Sequence, residues 1–271
     1  MLRLRVLTAV VGLPVVVLSL ALGPYAFGLF LCVVAAVCTF ELCRLAPNLS
    51  RWDALTLIAV AFSVLLVSQR VMPQATALVP LLATVLLVLS LLMLVVTAGR
   101  HRTFIQWSWT IAGALYVGWM LGHWAGLYML PAGRDLVAFG MFTTFFYDTF
   151  AFFVGRSVGR HKLAPRLSAG KTWEGAVGGL VMAVVGGLLI RLVLLWFGSA
   201  FPLTIPLTVL AAVLIAIAAQ MGDLAESALK RSAGAKDAGG ILPGHGGMLD
   251  RFDSILFTGP MLYYLVLWVT A

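Results

Sequence analysis

The chain has 271 residues, of which 62% are hydrophobic and 10% are charged. A soluble domain carries about 25% charged residues, so the composition excludes a water-soluble globule of this size. Intrinsic disorder is also excluded, because it requires low hydrophobicity and high charge density. The composition therefore indicates an integral membrane protein.

Nine apolar runs follow one another along the chain, most of them close to the roughly 20 residues that a membrane helix needs. They cover residues 6–22, 24–43, 54–69, 76–98, 108–130, 136–154, 175–198, 203–222 and 254–271. The runs are too long for strands, and many are apolar on every face. Arg3 and Arg5 resemble the start of a signal peptide, but eight further runs favour an uncleaved first helix. The predicted fold is all-α: a polytopic membrane protein with about nine transmembrane helices.

The distribution of basic residues predicts the orientation. With the N-terminus in the cytoplasm, fifteen of the 18 Lys and Arg residues fall in cytoplasmic segments, Arg70 and Arg134 fall outside, and Arg191 lies within the seventh span. The positive-inside rule therefore predicts a cytoplasmic N-terminus and a C-terminus outside, in the cell inner (plasma) membrane. We expect two regions: residues 1–130, with five spans that form a scaffold, and residues 131–271, with four spans and two cytoplasmic polar loops.

A glycine face lies in the fifth run, where Gly118, Gly122 and Gly126 repeat every four residues. Such a face lets another helix approach closely. Packing within one subunit and a homodimer contact are both open from the sequence.

The longest polar loop is residues 223–253, which hold nine charged residues and six glycines. Connections of this length are more often functional than inert. If span eight continues as a helix, Asp223, Glu226/Ser227 and Lys230 share a face. Asp250 and Asp253 open span nine, so carboxylates from the two helix ends are expected to converge and bind Mg²⁺ through oxygen. A helix N-cap is the alternative for Asp250.

The same loop contains the segment Pro243-Gly244-His245-Gly246-Gly247. Glycine-rich backbone exposes N–H groups that bind anions. Cations flank it, namely Lys230, Arg231, Lys236 and Arg251. This combination suits a nucleoside triphosphate or another polyphosphate, with His245 as a donor to a phosphate oxygen. A structural turn is the alternative for His245.

A second polar loop, residues 155–174, is strongly basic. Ser168, Lys171 and Thr172 are candidate donors to a lipid phosphate or a triphosphate; a basic loop beside anionic lipids is the alternative. Asp148 lies inside the sixth apolar run, where a carboxylate is costly and usually functional. Pairing with an Arg is the alternative for Asp148.

These residues together resemble the signature of phosphatidate cytidylyltransferases, also called CDP-diacylglycerol synthases. The C-terminal positions that match are Ser227, Leu229, Lys230, Arg231, Lys236, Asp237, Gly239, Leu242, Pro243, His245, Gly246, Gly247, Asp250, Arg251 and Asp253. The upstream positions that match are Asp148, Gly155, Arg156, Ser168, Lys171, Thr172, Glu174 and Gly175. This chain departs from the family at Ala169, where Pro is usual, and at Phe152, where Tyr is frequent.

The resemblance implies a reaction in which CTP and phosphatidic acid give CDP-diacylglycerol and pyrophosphate, with Mg²⁺ and with room for a second cation. It implies Asp223, Asp250 and Asp253 as metal ligands, and Lys236 and Arg251 as catalytic cations. Asp148 and Asp237 are further candidates. The expected partners are CTP, phosphatidic acid and membrane lipids; the net charge of +8 is assigned to phosphates and not to nucleic acid.

Two rival functions remain open from the sequence. The first is a CTP-dependent polyprenol or lipid kinase, or a cytidylyltransferase for another lipid phosphate. The second is a cation transporter that uses Asp148 and Asp223. A transporter would concentrate polar groups near the midplane, whereas here most of them collect at the cytoplasmic face.

Overall fold

The computed structural model describes residues 2–46, 53–72, 78–96, 103–241 and 246–270, and most of these residues are helical. The helices are α1 (Leu2–Ala21), α2 (Pro24–Arg44), α3 (Ala54–Val71), α4 (Leu78–Val96), α5 (Thr103–Ala114), α6 (Met120–Tyr128), α7 (Gly133–Val158), α8 (Trp173–Trp196), α9 (Ile205–Ser232) and α10 (Leu249–Thr270). A π-helical turn, Leu115–Trp119, joins α5 and α6 into one run. Each of the nine predicted apolar runs coincides with one helical run, which confirms the all-α class.

Seven helices within the described ranges are long and apolar enough to cross a membrane: α2, α3, α4, α7, α8, α9 and α10. The clearest case is α4, in which Val79 and Ser90 are the buried residues and most of the Leu and Val side chains are exposed. Large apolar side chains exposed along a whole helix suit contact with lipid rather than water. The structure therefore supports a multi-pass membrane protein.

Several helices extend beyond the apolar runs that predicted them, and three of these extensions lie in the C-terminal half of the chain. The predicted end of span eight is 222, but α9 continues to Ser232, because residues such as Leu, Ala, Glu and Lys are good helix formers even where hydropathy falls. The predicted start of span nine is 254, but α10 begins at Leu249. The sixth run, predicted as 136–154, is the longer α7. Hydropathy thus marks the apolar part of each helix and misses its polar end.

A small antiparallel hairpin lies in the predicted loop 155–174. Its strands are β1 (Lys162–Ala164) and β2 (Ser168–Thr172), and Lys162 is opposite Thr172. The Thr172 hydroxyl accepts a hydrogen bond from the Gly175 N–H at 3.1 Å and caps α8. The hairpin therefore runs directly into the first turn of α8.

The chain divides into two compact units. The first unit consists of Met1–Gly126 and Ser232–Phe252, and the second consists of Leu127–Arg231 and Asp253–Ala271. The polar segment that follows α9 thus belongs with the N-terminal helices, whereas Asp223 and Asp253 belong to the second unit. The division into 1–130 and 131–271 stays a prediction.

The glycine face of the fifth run packs within the first unit. A Cβ at Gly118 would lie 2.5 Å from the Ser63 Cα of α3, and a Cβ at Gly122 would lie 2.9 Å from the Leu66 carbonyl oxygen. Backbone atoms cannot move aside as a flexible side chain can. The intramolecular alternative therefore holds for Gly118 and Gly122, with α3 as the partner helix.

Replacing Gly118 with Ala should destabilise the protein. The new Cβ would overlap α3 backbone, and overpacking of this kind costs about 1–3 kcal/mol. Gly12→Ala is the matched control, because Gly12 is also helical and a Cβ there meets nothing within 4 Å. Thermal unfolding in detergent should show a lower Tm for Gly118→Ala and an unchanged or higher Tm for Gly12→Ala. Equal Tm values for the two variants would show that the close approach to α3 is absent.

Candidate active site

Three carboxylates come from three helices of the second unit: Asp148 of α7, Asp223 of α9 and Asp253 of α10. Gly222 brings α9 against α10, because a Cβ at this position would overlap the Asp253 carbonyl oxygen. Asp148 and Asp253 each interact electrostatically with Asp223 and with one another. Carboxylates that interact in this way are stabilised by a nearby cation or by hydrogen-bond donors.

Lys171 supplies that positive charge. Its Nζ lies 2.5 Å from Asp223 Oδ2, and the Ser227 hydroxyl donates to Asp223 Oδ1 at 3.4 Å. The ammonium also acts electrostatically on Asp148 and Asp253. The side chains of Lys171 and Asp223 are 18% and 33% exposed, so the pair is reachable from solvent. The predicted upstream donor Lys171 and the predicted metal ligand Asp223 are therefore direct neighbours.

A second ion pair lies further along α9. Lys230 Nζ is 2.5 Å from Glu226 Oε2, and the Glu226 side chain is only 1% exposed. The ammonium of Lys230 neutralises a buried carboxylate, which would otherwise be strongly destabilising. One residue later, Arg231 Nε donates to the Leu167 carbonyl oxygen of the hairpin at 3.4 Å. Both predicted phosphate contacts thus have structural partners, and their role towards phosphate stays a prediction.

The hairpin holds the remaining upstream candidates. Ser168, at the start of β2, is half-buried, whereas Thr172 is 4% exposed and caps α8. Just before β1, His161 Nδ1 lies 2.6 Å from Glu174 Oε1, and the His161 backbone N–H also donates to the Glu174 carboxylate. Thr172 therefore has a structural hydrogen bond where the sequence predicted a phosphate contact, and that contact stays a prediction.

Buried polar side chains surround Asp148 in the second unit. The Ser254 hydroxyl donates to Asp148 Oδ1 at 3.1 Å. The Tyr147 hydroxyl donates to Gln220 Oε1 at 2.7 Å, one turn before Asp223 on α9. The described partners of Asp148 are therefore the Ser254 hydroxyl and the charges of Asp223, Asp253 and Lys171. The Arg partner that the sequence offered as an alternative is not among them.

The first unit holds the glycine-rich segment and Asp250. The Asp250 carboxylate accepts the Ala238 N–H at 3.1 Å and the Gly247 N–H at 2.8 Å. Gly246 has φ +82°, a left-handed conformation that favours glycine, and a Cβ there would lie 3.0 Å from Asp250 Oδ2. Asp250 lies in the first turn of α10 and not at its N-cap. The convergence of Asp223 with Asp250 stays a prediction, because the two residues belong to different units.

Sequence reasoning missed Glu41, a carboxylate with no exposed surface near the end of α2. Its Oε2 accepts the Leu249 N–H at 2.9 Å, and it interacts electrostatically with Asp250. The available signal was an acidic residue inside the apolar run 24–43, the same signal that singled out Asp148. Its partner is 208 positions away, so no local pattern indicates the contact.

Three further candidates, Lys236, Asp237 and Arg251, are exposed side chains. Because these side chains are exposed, water and soluble ions can reach them. His245 lies outside the described residues, and its role stays a prediction.

The donor chemistry of the second unit fits a hard divalent cation. The described residues contain no group of three or more His, Cys, Asp and Glu side chains arranged to hold a metal ion. Mg²⁺ is usually bound through one or two carboxylates together with substrate phosphates and water. Asp223 and Asp253 are partly exposed carboxylates. They fit a Mg²⁺ ion that keeps water and phosphate ligands, as opposed to an ion enclosed by protein ligands alone.

Comparison with known proteins gives one family over almost the whole chain. A family model described as "Cytidylyltransferase family" matches residues 3–269. A phosphatidate cytidylyltransferase of Bacillus subtilis (strain 168) is 34% identical over 97% of this chain and 96% of its own length. A phosphatidate cytidylyltransferase of Staphylococcus haemolyticus is 32% identical over 98% of this chain and 99% of its own. A phosphatidate cytidylyltransferase of Brucella abortus is 42% identical over 58% of each chain.

Replacing Gly247 with Ala should disrupt the loop of the first unit. A Cβ at Gly247 would lie 2.7 Å from Glu41 Oε2 and 2.8 Å from the Gly239 backbone N. Gly240→Ala is the control, because a Cβ at Gly240 meets nothing within 4 Å. We expect Gly247→Ala to lower Tm, with a cost of about 1–3 kcal/mol, and Gly240→Ala to leave Tm within error. A Gly247→Ala protein as stable as Gly240→Ala would contradict the described loop packing.

Proposed function

The chain belongs to the cytidylyltransferase family, and from that premise we propose that it is a phosphatidate cytidylyltransferase of phospholipid synthesis. CTP and phosphatidic acid would react to give CDP-diacylglycerol and pyrophosphate. The observation that carries the proposal is the Lys171–Asp223 ion pair beside Asp148 and Asp253. A cation and several carboxylates at one polar end of apolar helices suit the meeting of a phosphate anion with a metal-bound nucleotide.

The chemistry needs no general base. A phosphate monoester has a second pKa of about 6, so the lipid phosphate is largely a dianion at neutral pH. One of its oxygens attacks the α-phosphorus of CTP; a new P–O bond forms, and the bond to the β-phosphate oxygen breaks. Pyrophosphate leaves with the electron pair. The protein has to hold two anions together in line and to neutralise the leaving group.

The side chains of the second unit fit the lipid end of this reaction. Lys171 is held by a partly exposed carboxylate, so an incoming phosphate can share or take over the ammonium. Ser168 on the same strand is a second donor. Asp223 and Asp253 would hold Mg²⁺, which would supply positive charge for the triphosphate and the leaving pyrophosphate, and Asp250 stays a candidate ligand from the sequence. A second cation stays open.

The remaining cations fit the nucleotide end. Exposed Lys236 and Arg251 lie next to the glycine-rich segment in sequence, and they would contact CTP phosphates. The Gly247 N–H donates to Asp250, and a Cβ at Gly246 would lie 3.0 Å from the same carboxylate, so both glycines pack against Asp250. The sequence also predicts phosphate contacts for five further residues: Thr172, Ser227, Lys230, Arg231 and His245.

Location follows from the same proposal. A lipid substrate whose tails stay in the bilayer requires a site at the membrane surface, and CTP requires a cytoplasmic one. We therefore place the protein in the cell inner membrane with the site facing the cytoplasm, which agrees with the positive-inside bias. A homodimer would have to use a surface other than Gly118 and Gly122, because α3 already packs there.

Labelled CTP tests the reaction class. With α-labelled CTP, the label should enter the lipid product; with γ-labelled CTP, it should appear only in pyrophosphate. The result expected of a lipid kinase is the reverse, with the γ-phosphate in the lipid and CDP released. A turnover-free Mg²⁺ flux across vesicles would instead favour a transporter. Other lipid phosphates in the same assay test the substrate class.

Asp223→Asn should abolish most of the turnover. The substitution keeps the side-chain size but removes the charge that pairs with Lys171 and binds the cation, and losses of about 100-fold or more in kcat are expected. Asp53→Asn is the matched control, since Asp53 only caps α3 by accepting the Leu55 N–H, and Asn caps equally well. Pyrophosphate release in detergent measures both variants. Comparable rates for the two would remove Asp223 from the site.

A further inference from the structure

Glu41 is the acidic residue of α2, and nothing in the proposed reaction requires it. Its side chain has no exposed surface, so it contacts neither solvent nor a soluble substrate. It lies in the first unit together with the glycine-rich segment and the first turn of α10. A fully buried carboxylate among apolar helices is costly and needs a structural or functional reason.

The carboxylate of Glu41 holds the end of the segment. Oε2 accepts the N–H of Leu249, the first residue of α10, at 2.9 Å. Glycine at two positions makes this approach possible: a Cβ at Gly247 would lie 2.7 Å from Oε2, and a Cβ at Gly239 would overlap Oε1. The backbone on both sides of the segment is therefore pressed against one side chain.

Asp250 holds the same backbone from its own side. It accepts the N–H groups of Ala238 and Gly247 at 3.1 and 2.8 Å. Leu249 and Asp250 are adjacent in the chain. Fixing the Leu249 N–H to α2 therefore fixes the direction of the first turn of α10, and with it the Asp250 carboxylate.

The second oxygen of Glu41 shows that packing alone does not explain the residue. Oε1 is buried and makes no hydrogen bond with any residue that the structure describes. Glu41 also interacts unfavourably in charge with Asp250 and favourably with Arg44. An apolar side chain of similar size would fill the space without an unpaired acceptor or a like charge. An apolar side chain could not accept the Leu249 N–H, whereas a carboxyl or amide oxygen can.

We propose that Glu41 is a positioning residue, which anchors the backbone of Gly247 and Leu249 to α2 and so sets the orientation of Asp250. The kinetic meaning of this role rests on the proposed function, in which Asp250 is a candidate ligand of the cation. The structural part of the proposal does not rest on that function, because the anchoring of the backbone to α2 can be measured without turnover.

Hydrogen exchange tests the anchor directly. Glu41→Ala removes the acceptor, and Glu41→Asp keeps the charge but is one methylene too short to reach Leu249; Glu41→Gln keeps an acceptor oxygen. Thr39→Val is the matched control, since Thr39 is equally buried on α2 but bonds the Ser63 hydroxyl at 2.9 Å. Mass-spectrometric exchange should quicken in peptides covering 238–250 for the Ala and Asp variants, and stay as in the wild type for Gln and for Thr39→Val.

Kinetics then test what the anchor does. The Ala and Asp variants should lower kcat and weaken Mg²⁺ activation by about 10- to 100-fold, as losses of residues that orient metal ligands do, with the lipid KM little changed. Glu41→Gln should restore most of both. Thr39→Val should lower Tm without changing Mg²⁺ activation.

Three results would overturn the proposal. Unchanged exchange over 238–250 in Glu41→Asp, which keeps the charge and is the variant expected to fold if Ala does not, would show that Glu41 is no anchor. Quickened exchange with wild-type Mg²⁺ activation would show that the anchor does not position Asp250. Thr39→Val and the Glu41 variants could also lose activity in the same proportion to their loss of Tm. That result would show that Glu41 only stabilises the fold. Failure of the labelled-CTP experiment with quickened exchange would instead refute the proposed reaction and leave the anchor intact.

Discussion

Carboxylates placed among apolar helices need an opposite charge or a hydrogen-bond donor to offset their desolvation, and this requirement arranges the polar residues of both units. Desolvating a charge costs several kcal/mol unless hydrogen bonds or an opposite charge compensate. Asp223 has Lys171 and Ser227, Glu226 has Lys230, and Asp148 has Ser254. In the first unit, Asp250 and Glu41 have backbone N–H groups instead, including those of Gly247 and Leu249.

The two kinds of compensation serve different ends. Backbone N–H groups cannot leave, so Asp250 and Glu41 hold the backbone of Ala238, Gly247 and Leu249 in place. An ammonium on a flexible stem can leave, and the Lys171–Asp223 pair is partly exposed. In the proposed function, a phosphate would pair with the Lys171 ammonium while a cation takes the Asp223 carboxylate, so neither charge would be left uncompensated.

The fold was largely predictable because a membrane chain carries its helices as apolar runs. The nine runs mark the nine helical stretches of the described chain, and the exceptions are their polar ends: α9 continues to Ser232, and α10 begins at Leu249. Hydropathy falls at those ends while helix propensity does not. The hairpin of Lys162–Ala164 and Ser168–Thr172 was not predicted, since three- and five-residue strands lack a detectable period.

Candidate site residues could be singled out from the sequence, but the side chains that they contact could not. Charge and glycine density identified Asp223, Lys171 and Asp250, but not that Lys171 pairs with Asp223 across 52 positions, nor that Thr172 caps a helix. Glu41 was missed because its contact with Leu249 joins opposite ends of the chain. Pairings of that kind depend on how helices pack, which composition and spacing do not encode.

Binding of Mn²⁺ in place of Mg²⁺, followed by electron paramagnetic resonance with a non-hydrolysable CTP analogue, tests the central claim that Asp223 binds the cation with the nucleotide. We predict immobilised Mn²⁺ in the wild type and in Asp53→Asn, and an affinity lowered by about 10- to 100-fold in Asp223→Asn. Wild-type Mn²⁺ affinity in Asp223→Asn would contradict the account.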